Sequence, residues 1–302
     1  ITPLIIGVTA FLLSSAGTAF SPARDALIPN LVSKKDLPFI NSAMTVSSQM
    51  ATILGPLFAG LGISLVGLTH LFTIDSISFI FSMIMIALIK IKPKKQNKKN
   101  TNHFSMIKKG FKYLSKEKSI SLLLLLTIIN NLFIMGPAII GIPVYVKEVL
   151  NEGFLTLTKL EVSMSIGMIV GSLIFSKLIK KLIPSKILIF GIIIDGLTYS
   201  LLFLSLKTYS AMLILFVHGI AIPLITISRT SMLQNVIPNH YRGRIFSIVN
   251  MSVVGTTAIS ILLTGIFLEK ASSDYLFLII GILASLTASI PLLFKNSSYR
   301  LP

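Results

Sequence analysis

The 302-residue chain has no cysteine and no tryptophan, and only 12% of its residues are charged. The absence of cysteine excludes disulfide bonds and thiolate chemistry. The four histidines lie far apart in the sequence, without the ligand spacing of a zinc site. A soluble domain carries about 25% charged residues, so this composition excludes a water-soluble fold. We therefore expect an all-α membrane protein that needs no metal and no cofactor.

Acidic residues are also scarce. The chain has 10 of them and 27 lysines and arginines, which gives a formal net charge of +17. Such an excess is typical of nucleic-acid-binding proteins when it covers one face. Here the basic residues lie in short loops between apolar segments. Membrane topology explains this distribution, and no nucleic-acid partner is expected.

Hydrophobic residues make up 53% of the chain and concentrate in nine segments. A bilayer core about 30 Å thick requires roughly 20 apolar residues of helix, and the nine segments approach or exceed that length. The fifth segment is the shortest. The predicted spans are residues 3–20, 40–63, 68–89, 120–146, 160–175, 187–206, 211–227, 245–268 and 275–294.

The loops between these spans alternate in basic content, and cytoplasmic loops are the ones that carry Lys and Arg. One set of loops holds 23 basic residues, and the other set holds Lys147, Lys159, Lys207 and Lys270. We therefore predict that residue 1 lies outside and that the C-terminus lies in the cytosol.

The longest loop separates three spans from six, which predicts a linker over residues 93–118 between segments 1–92 and 119–302. Within it Phe104, Ile107, Phe111 and Leu114 recur at helical spacing, opposite a face of lysines. This pattern is typical of a helix that lies on an anionic membrane surface. A solvated linker with chance periodicity is the alternative.

The chain also resembles itself at an offset of 205 residues. This register aligns eight identical residues in about forty, including Arg24 with Arg229 and Gly60 with Gly265. Parallel repeats of this kind build the two halves of many secondary transporters. Three spans precede the second copy and none precedes the first. We therefore expect a six-plus-six protein of which helices 4–12 are present.

Several short stretches resemble the major facilitator superfamily, and within it the bacterial exporters that include macrolide-efflux-like permeases. The residues that carry this likeness are 20–29 (FSPARDALIP), 75–79 (DSISF) and 241–247 (YRGRIFS). The likeness covers essentially the whole chain. It implies a major facilitator fold in a bacterial plasma membrane, a small-molecule substrate, export by alternating access, and a monomer.

Residues 55–60 (GPLFAG) are similar to the antiporter motif of drug exporters in this superfamily. Small residues allow close helix contact and proline bends a helix, so Gly55, Pro56 and Gly60 are candidates for the moving interface. Ordinary helix packing is the alternative. The same segment has no charge but carries Ser48 and Gln49, which suit a substrate cavity.

Two features of the superfamily are absent from the sequence. The counterpart of its signature loop, residues 171–181, keeps a glycine and a basic cluster but lacks the acidic residue. The membrane-embedded arginine of many proton-coupled exporters is also missing from the first span. The resemblance therefore supports export more firmly than it supports coupling to protons.

Charged residues inside a span are costly and mark functional sites. Asp195 lies near the middle of its span and Asp75 lies about a third of the way into another. Together with His218, which can titrate near neutral pH, they are our candidates for proton coupling. Structural hydrogen bonding is the alternative for all three.

Two further groups of polar residues are candidates. Asn130 and Asn131 lie in mid-span and must find partners within the bundle or face its cavity. Arg24 and Arg229 end paired helices, where they could form an inner gate or act as topology anchors.

We consequently expect a secondary exporter of amphipathic small molecules of the drug or macrolide type, driven by antiport of protons and conferring antibiotic resistance. Export of a siderophore or lipid-like metabolite, a membrane-embedded enzyme and an inactive truncated permease are the alternatives. The sequence contains no phosphate-binding loop for ATP and no cluster of catalytic groups. An enzyme is therefore not expected.

Overall fold

The computed structural model describes residues 3–89, 103–293 and 301, and within these ranges the chain is helical and contains no strand. The elements in chain order are α1 (Pro3–Leu31), α2 (Leu37–Val66), α3 (Leu68–Ala87), α4 (His103–Lys116), α5 (Lys118–Gly136), a π-helical turn (Pro137–Gly141), α6 (Ile142–Glu148), α7 (Phe154–Leu178), α8 (Pro184–Leu202), α9 (Thr208–Val236), α10 (Asn239–Leu268), α11 (Ser273–Thr287) and α12 (Ile290–Leu293).

The described helices coincide with the predicted spans. Seven of the nine predicted segments overlap one helix each, the fourth overlaps the continuous stretch formed by α5, the π-helical turn and α6, and the ninth overlaps α11 and α12. Within the described residues, six helical stretches are long and apolar enough to cross a bilayer: His70–Ala87, Lys118–Glu148, Phe154–Leu178, Pro184–Leu202, Thr208–Val236 and Asn239–Leu268. The prediction of an all-α membrane fold is confirmed.

Helix α9 lies at the centre of the bundle. Half of its most apolar window is buried, whereas the corresponding window of α3 has no buried residue. Helices α7 and α8 pack along α9, and α11 packs on the far side of α8. A helix that is apolar on every side belongs in a protein core or in lipid, so α9 forms the core and α3 turns its side chains outward.

Glycines allow the central helices to approach closely. A Cβ atom at Gly167 of α7 would lie 2.0 Å from the carbonyl oxygen of Phe216 in α9, and one at Gly219 of α9 would lie 2.1 Å from the carbonyl oxygen of Met164. Gly196 of α8 and Gly281 of α11 face each other in the same way. Membrane helices associate through small residues of this kind, and these contacts fix α7, α8 and α11 around α9.

The stretch from α5 to α6 bends at the π-helical turn that begins with Pro137. Proline cannot donate a backbone hydrogen bond and disturbs the preceding turn. Ser260 of α10 inserts at this point: its hydroxyl accepts a 2.7 Å hydrogen bond from the Gly136 amide and donates one of 2.6 Å to the Leu132 carbonyl. The irregular turn is thus anchored to α10, and its freed backbone groups are satisfied.

The helix bounds agree with the internal repeat. Helices α1 and α9 end at Leu31 and Val236, which are 205 positions apart. Helices α2 and α10 contain 30 residues each. The first residues of α3 and α11, Leu68 and Ser273, are again 205 positions apart. The two copies therefore have matching helices in matching order.

Helix α4 follows the predicted amphipathic segment but packs partly on protein. Leu114 is buried in the core and Tyr113 stacks on Tyr241, with ring centroids 4.4 Å apart. Phe111 remains 47% exposed. The side chains of Phe104 and Ile107, and residues 93–102 of the predicted linker, lie outside the described residues. One part of the apolar face of α4 therefore packs against α10, and another part is exposed.

Helices α1 and α2 pack against the later helices of the chain. Helix α2 contacts α7 and α9, and α1 contacts α10 and α9. Near the end of α1 and the start of α2, which is the predicted cytoplasmic side, hydrogen bonds join these helices to the last turns of α9.

Candidate functional site

Two internal cavities meet along α9. The first, which we call the α2 cavity, has a volume of about 260 Å³ and lies between α1, α2, α7 and α9. The second, the α8 cavity, has a volume of about 380 Å³ and lies between α5, α8, α9 and α10. Ile222 and Thr226 of α9 line both of them. The wall of the α8 cavity is mostly apolar and contains a few polar groups, as is typical of small-molecule sites.

A buried acid and a buried histidine form the polar part of the α8 cavity. Asp195 of α8 and His218 of α9 are each 1% exposed, and Asp195 Oδ1 lies 3.3 Å from His218 Nδ1. Tyr199 packs edge-on against the imidazole, with ring centroids 4.4 Å apart. Two candidates that the sequence places 23 positions apart are thus brought into direct contact.

Thr198 contacts the same imidazole nitrogen of His218 as Asp195 does. Its hydroxyl donates hydrogen bonds to the carbonyls of Ile194 and Asp195, at 2.8 and 2.9 Å. The same hydroxyl lies 3.1 Å from His218 Nδ1. Nδ1 therefore lies within hydrogen-bonding distance of both the Thr198 hydroxyl and the Asp195 carboxyl group.

The two candidate asparagines have different partners. The Asn131 amide nitrogen donates to the Val253 carbonyl, at 3.0 Å, and lies 2.9 Å from the hydroxyls of Thr256 and Thr257, which ties α5 to α10. The Asn130 amide nitrogen makes a long 3.5 Å contact to Asp195 Oδ2. Its oxygen Oδ1 is buried and has no hydrogen-bond partner in the described part of the chain. Asn130 is therefore the asparagine that can bind a ligand in the α8 cavity.

The two repeat-related arginines also differ. Arg24 Nη2 lies 3.0 Å from Asp25 Oδ1, and the Arg24 side chain is 42% exposed. Arg229 is partly buried and lines the α8 cavity. It makes no hydrogen bond or ion pair with any residue in the described ranges. The side chain lies 11 residues beyond His218 on α9, which corresponds to about 16 Å along the helix.

A polar network joins α2 to α9 at the predicted cytoplasmic end. The Asn41 amide donates to Gln234 Oε1 at 2.8 Å and to Ser231 Oγ at 3.0 Å. Gln234 Nε2 in turn donates to the Asp25 carbonyl of α1 at 3.1 Å. The side chains that form these hydrogen bonds are buried, namely Asn41, Ser231 and Gln234. We call these groups the Asn41 network, and Asn41 also lines the α2 cavity.

Arg242 of α10 positions this network. Its guanidinium donates to the carbonyls of Gln234 and Ile237, at 3.2 and 3.1 Å, and the side chain is 8% exposed. Gln234 lies in the last turn of α9, whose carbonyls a helix cannot satisfy internally, and Ile237 is the residue that follows the helix. Arg242 therefore fixes the end of α9 that carries Gln234.

The remaining predicted site residues lie elsewhere. Gln49 and Ser48 line the α2 cavity, together with Arg24. Asp75 is exposed on α3 and lines neither of the two cavities. A Cβ atom at Gly55 would have no neighbour within 4 Å. Pro56 and Gly60 belong to α2, but their packing lies outside the described residues.

Sequence reasoning missed Thr198, Asn41, Gln234 and Arg242. Thr198 could have been found, because it lies three positions after Asp195 and therefore on the same face of a helix. Asn41 and Gln234 lie near helix ends, where polar residues are common, and nothing in the sequence pairs them. Only the packing of α2 against α9 brings them together.

Long apolar helices around these internal, partly polar cavities define a multi-pass membrane transport protein. The chain belongs to the Major Facilitator Superfamily, whose family model matches residues 2–253 and, in an overlapping second match, residues 155–301. It is a transporter and not an enzyme.

Among characterised proteins the chain is similar to macrolide efflux protein A of Streptococcus pyogenes. The two are 24% identical over 289 residues, which cover 93% of this chain and 70% of the relative. The same values apply to the protein of the serotype M6 strain.

Two solved structures share the fold. They are crystal structures of a bacterial homologue of the iron transporter ferroportin in the outward-facing state, one of them with soaked iron. The TM-scores are 0.67 and 0.63, at 17% and 16% identity. The first match covers 89% of this chain and 68% of that structure, and the second covers 91% and 69%. At these identities the likeness establishes the fold alone.

Proposed function

We propose that the chain exports amphipathic small molecules by alternating access, and that Asp195 and His218 exchange the protons that drive export. The observation that carries this proposal is the 3.3 Å contact between these two buried groups in the wall of an apolar cavity. Intramembrane acids and histidines form the proton relays of many transporters. The α8 cavity is the proposed site where substrate and proton compete.

Substrate and protons compete because both use the hydrogen-bond acceptors of the Asp195–His218 pair. With Nδ1 protonated and Asp195 ionised, the pair carries one negative charge and a carboxylate that accepts hydrogen bonds. A further proton makes the pair neutral and occupies the position that a substrate donor would use. Substrate binding and proton binding therefore exclude each other at Asp195, which is the requirement for antiport.

The Asn41 network supports the alternating-access part of the proposal. It bridges α2 and α9 on one side of the two cavities. In an exporter whose predicted cytoplasmic end is closed in this way, the cavities open to the outside. The solved structures with this fold are likewise described as outward-facing. Opening to the cytosol requires these hydrogen bonds to break.

An organic substrate suits the α8 cavity better than a metal ion. The described residues contain no group of three His, Cys, Asp or Glu side chains that could hold one. Asp195 and His218 offer two ligands, whereas structural and catalytic zinc sites take at least three protein ligands. The relative from S. pyogenes is named for macrolide efflux, so a macrolide is the first substrate to test.

The test measures uptake of a radiolabelled macrolide into proteoliposomes with an acidic interior. We expect accumulation above that of empty liposomes, and we expect a protonophore to abolish it. In Asp195→Asn the side chain no longer binds a proton, so gradient-driven accumulation should be lost. Exchange of labelled for unlabelled macrolide without a gradient should persist, because exchange needs no net proton movement.

Asp75→Asn is the matched control, since it removes the other intramembrane carboxylate from an exposed position outside both cavities. Both activities should survive in this variant. Normal accumulation by Asp195→Asn, or its loss in Asp75→Asn, would refute the assignment. Absence of both activities from every form would favour the inactive permease, and transport of a siderophore or lipid in place of the macrolide would redefine the substrate.

A further inference from the structure

The Arg229 side chain lies in the wall of the α8 cavity and has no ion-pair partner among the described residues. The side chain is partly buried, and its guanidinium makes no hydrogen bond or ion pair with residues 3–89 or 103–293. A guanidinium offers five N–H donors in a planar fork that matches carboxylate and phosphate oxygens. A guanidinium that is partly shielded from water and has no partner in the protein is less well solvated than one at the surface. A ligand in the cavity can therefore gain binding energy by supplying an anion.

Asp25 does not form an ion pair with Arg229. Its charge acts on Arg229, and the two residues line a common small cavity between α1, α9 and α10. The Asp25 carboxylate, however, lies 3.0 Å from Arg24 and beyond ion-pair distance of Arg229. At the equivalent repeat position Arg24 thus has its acid in the next residue, whereas Arg229 is followed by Thr230. The second copy of the repeat therefore lacks the acidic residue that pairs with the arginine in the first copy.

The wall of the α8 cavity is mostly apolar between Asp195 at one end and Arg229 at the other. Five residues on one face of α9 line it from His218 to Arg229, over about 16 Å. Their partners across the cavity are mostly apolar, including Leu123, Ile134, Leu188 and Ile192. Asn130 Oδ1, near Asp195, is a buried acceptor without a partner. The cavity therefore has an acceptor-rich end, an apolar middle and a cationic end.

We propose that Arg229 binds an anionic group of the transported substrate, so that the preferred substrates of the α8 cavity are amphipaths with a carboxylate or phosphate at one end and a hydrogen-bond donor at the other. The proposal rests on the proposed function for the direction of transport but not for the binding preference. The apolar middle binds the body of the substrate, and Asn130 and Asp195 accept from its donor. Arg229 would then act in specificity, in addition to any part in the gate.

The probes that test this are 8-aminooctanoate and 8-aminooctanamide. Both have the same amine and the same apolar chain, and they differ in the anion alone. Equilibrium dialysis of each tritiated probe against purified protein in lipid nanodiscs, with empty nanodiscs subtracted, gives the two dissociation constants. Because charge-assisted hydrogen bonds are about twice as strong as neutral ones, we expect the acid to bind wild-type protein about tenfold tighter or more.

In Arg229→Gln the preference for the acid should disappear, with little change in binding of the amide. Arg229→Lys should retain part of it, since the charge remains but the planar fork is lost. Lys181→Gln, which removes one positive charge from an exposed loop outside the α8 cavity, should keep the full preference.

Equal binding of the two probes by the wild-type protein would overturn the proposal, whether or not the variants fold. Absence of saturable binding by either probe, or a preference that survives in Arg229→Gln, would do the same. Failure of the proposed function is a separate result. If the macrolide is not transported but the acid preference exists and depends on Arg229, the anion site stands and export does not.

Discussion

Asn41 and Gln234 are 193 positions apart in the chain, yet their side-chain amides form a 2.8 Å hydrogen bond between α2 and α9. Both side chains are buried, at 6% and 0% exposure, and neither carries a charge. A buried neutral hydrogen bond is worth about 1 kcal/mol net, and leaving one partner unpaired costs about 1–3 kcal/mol. Hydrogen bonds of this strength can break and re-form during the alternating access that we propose.

Asn41→Ala should shift the protein towards opening at the predicted cytoplasmic side. The substitution leaves Gln234 Oε1 and Ser231 Oγ without their donor. A cost of about 1–3 kcal/mol corresponds to a shift of roughly 5- to 150-fold in the equilibrium. Because the chain has no cysteine, Ser48→Cys in the α2 cavity gives a single reporter. Its labelling by an impermeant maleimide from the cytosolic side should rise when Asn41 is replaced.

Ser42→Ala is the matched control for this experiment. Ser42 is also buried, but its hydroxyl donates to the Pro38 carbonyl within α2 and does not reach α9. Labelling of the reporter should be unchanged in this variant. If both substitutions raised labelling equally, the effect would come from weakening of α2 and not from the Asn41 network.

Arg242→Gln should lower the thermal stability of the purified protein. The guanidinium satisfies two carbonyls at the end of α9 from a position that is 8% exposed. Hydrogen bonds from charged groups contribute about 1.5–3 kcal/mol, so the melting temperature should fall by several degrees. Arg244→Gln, a change of the same charge two residues later on a less buried side chain, should leave it within about a degree.

Gly167→Ala should disrupt the contact between α7 and α9. The added methyl group would lie 2.0 Å from a backbone carbonyl of α9, which cannot move away as a flexible side chain can. Overpacking of this kind costs about 1–3 kcal/mol or more. We expect a reduced yield of monodisperse protein in size-exclusion chromatography. Gly265→Ala, where nothing lies within 4 Å of the new Cβ atom, should behave as the parent does.

The predicted topology can be tested with the same cysteine-free background. Lys180→Cys and Lys207→Cys place reporters in the α7–α8 and α8–α9 loops, which lie at opposite ends of α8. The positive-inside rule assigns Lys180 to the cytosol and Lys207 to the outside. An impermeant maleimide added to intact cells should label the second and spare the first. The reverse pattern would invert the proposed direction of export.

The fold could be predicted from the sequence to a large extent, because lipid restricts a chain to a few possible structures. Apolar runs of sufficient length must become helices in a bilayer, and the nine segments found in this way all overlap helices. The last residues of α1 and α9 and the first residues of α3 and α11 also follow the offset of 205 residues that a few identities suggested. What the sequence could not indicate is which face of each helix turns inward.

The candidate site was predictable residue by residue but not as an arrangement. Asp195, His218 and Asn130 were each recognisable as polar groups inside spans, and the structure brings all three to one cavity. Asp75 had the same chemical signal and lies on an exposed surface instead. The difference depends on the rotation of α3 and α8 about their axes. In helices that are apolar on every side, no amphipathic pattern determines that rotation.

One face of α9 belongs to both cavities. Ile222 and Thr226 lie one helical turn apart on this face, and each of them lines the α2 cavity and the α8 cavity. The backbone of α9 touches that of α7 nearby, at Gly219 and Gly167. A larger side chain at position 222 or 226 would therefore reduce the volume of both cavities at once.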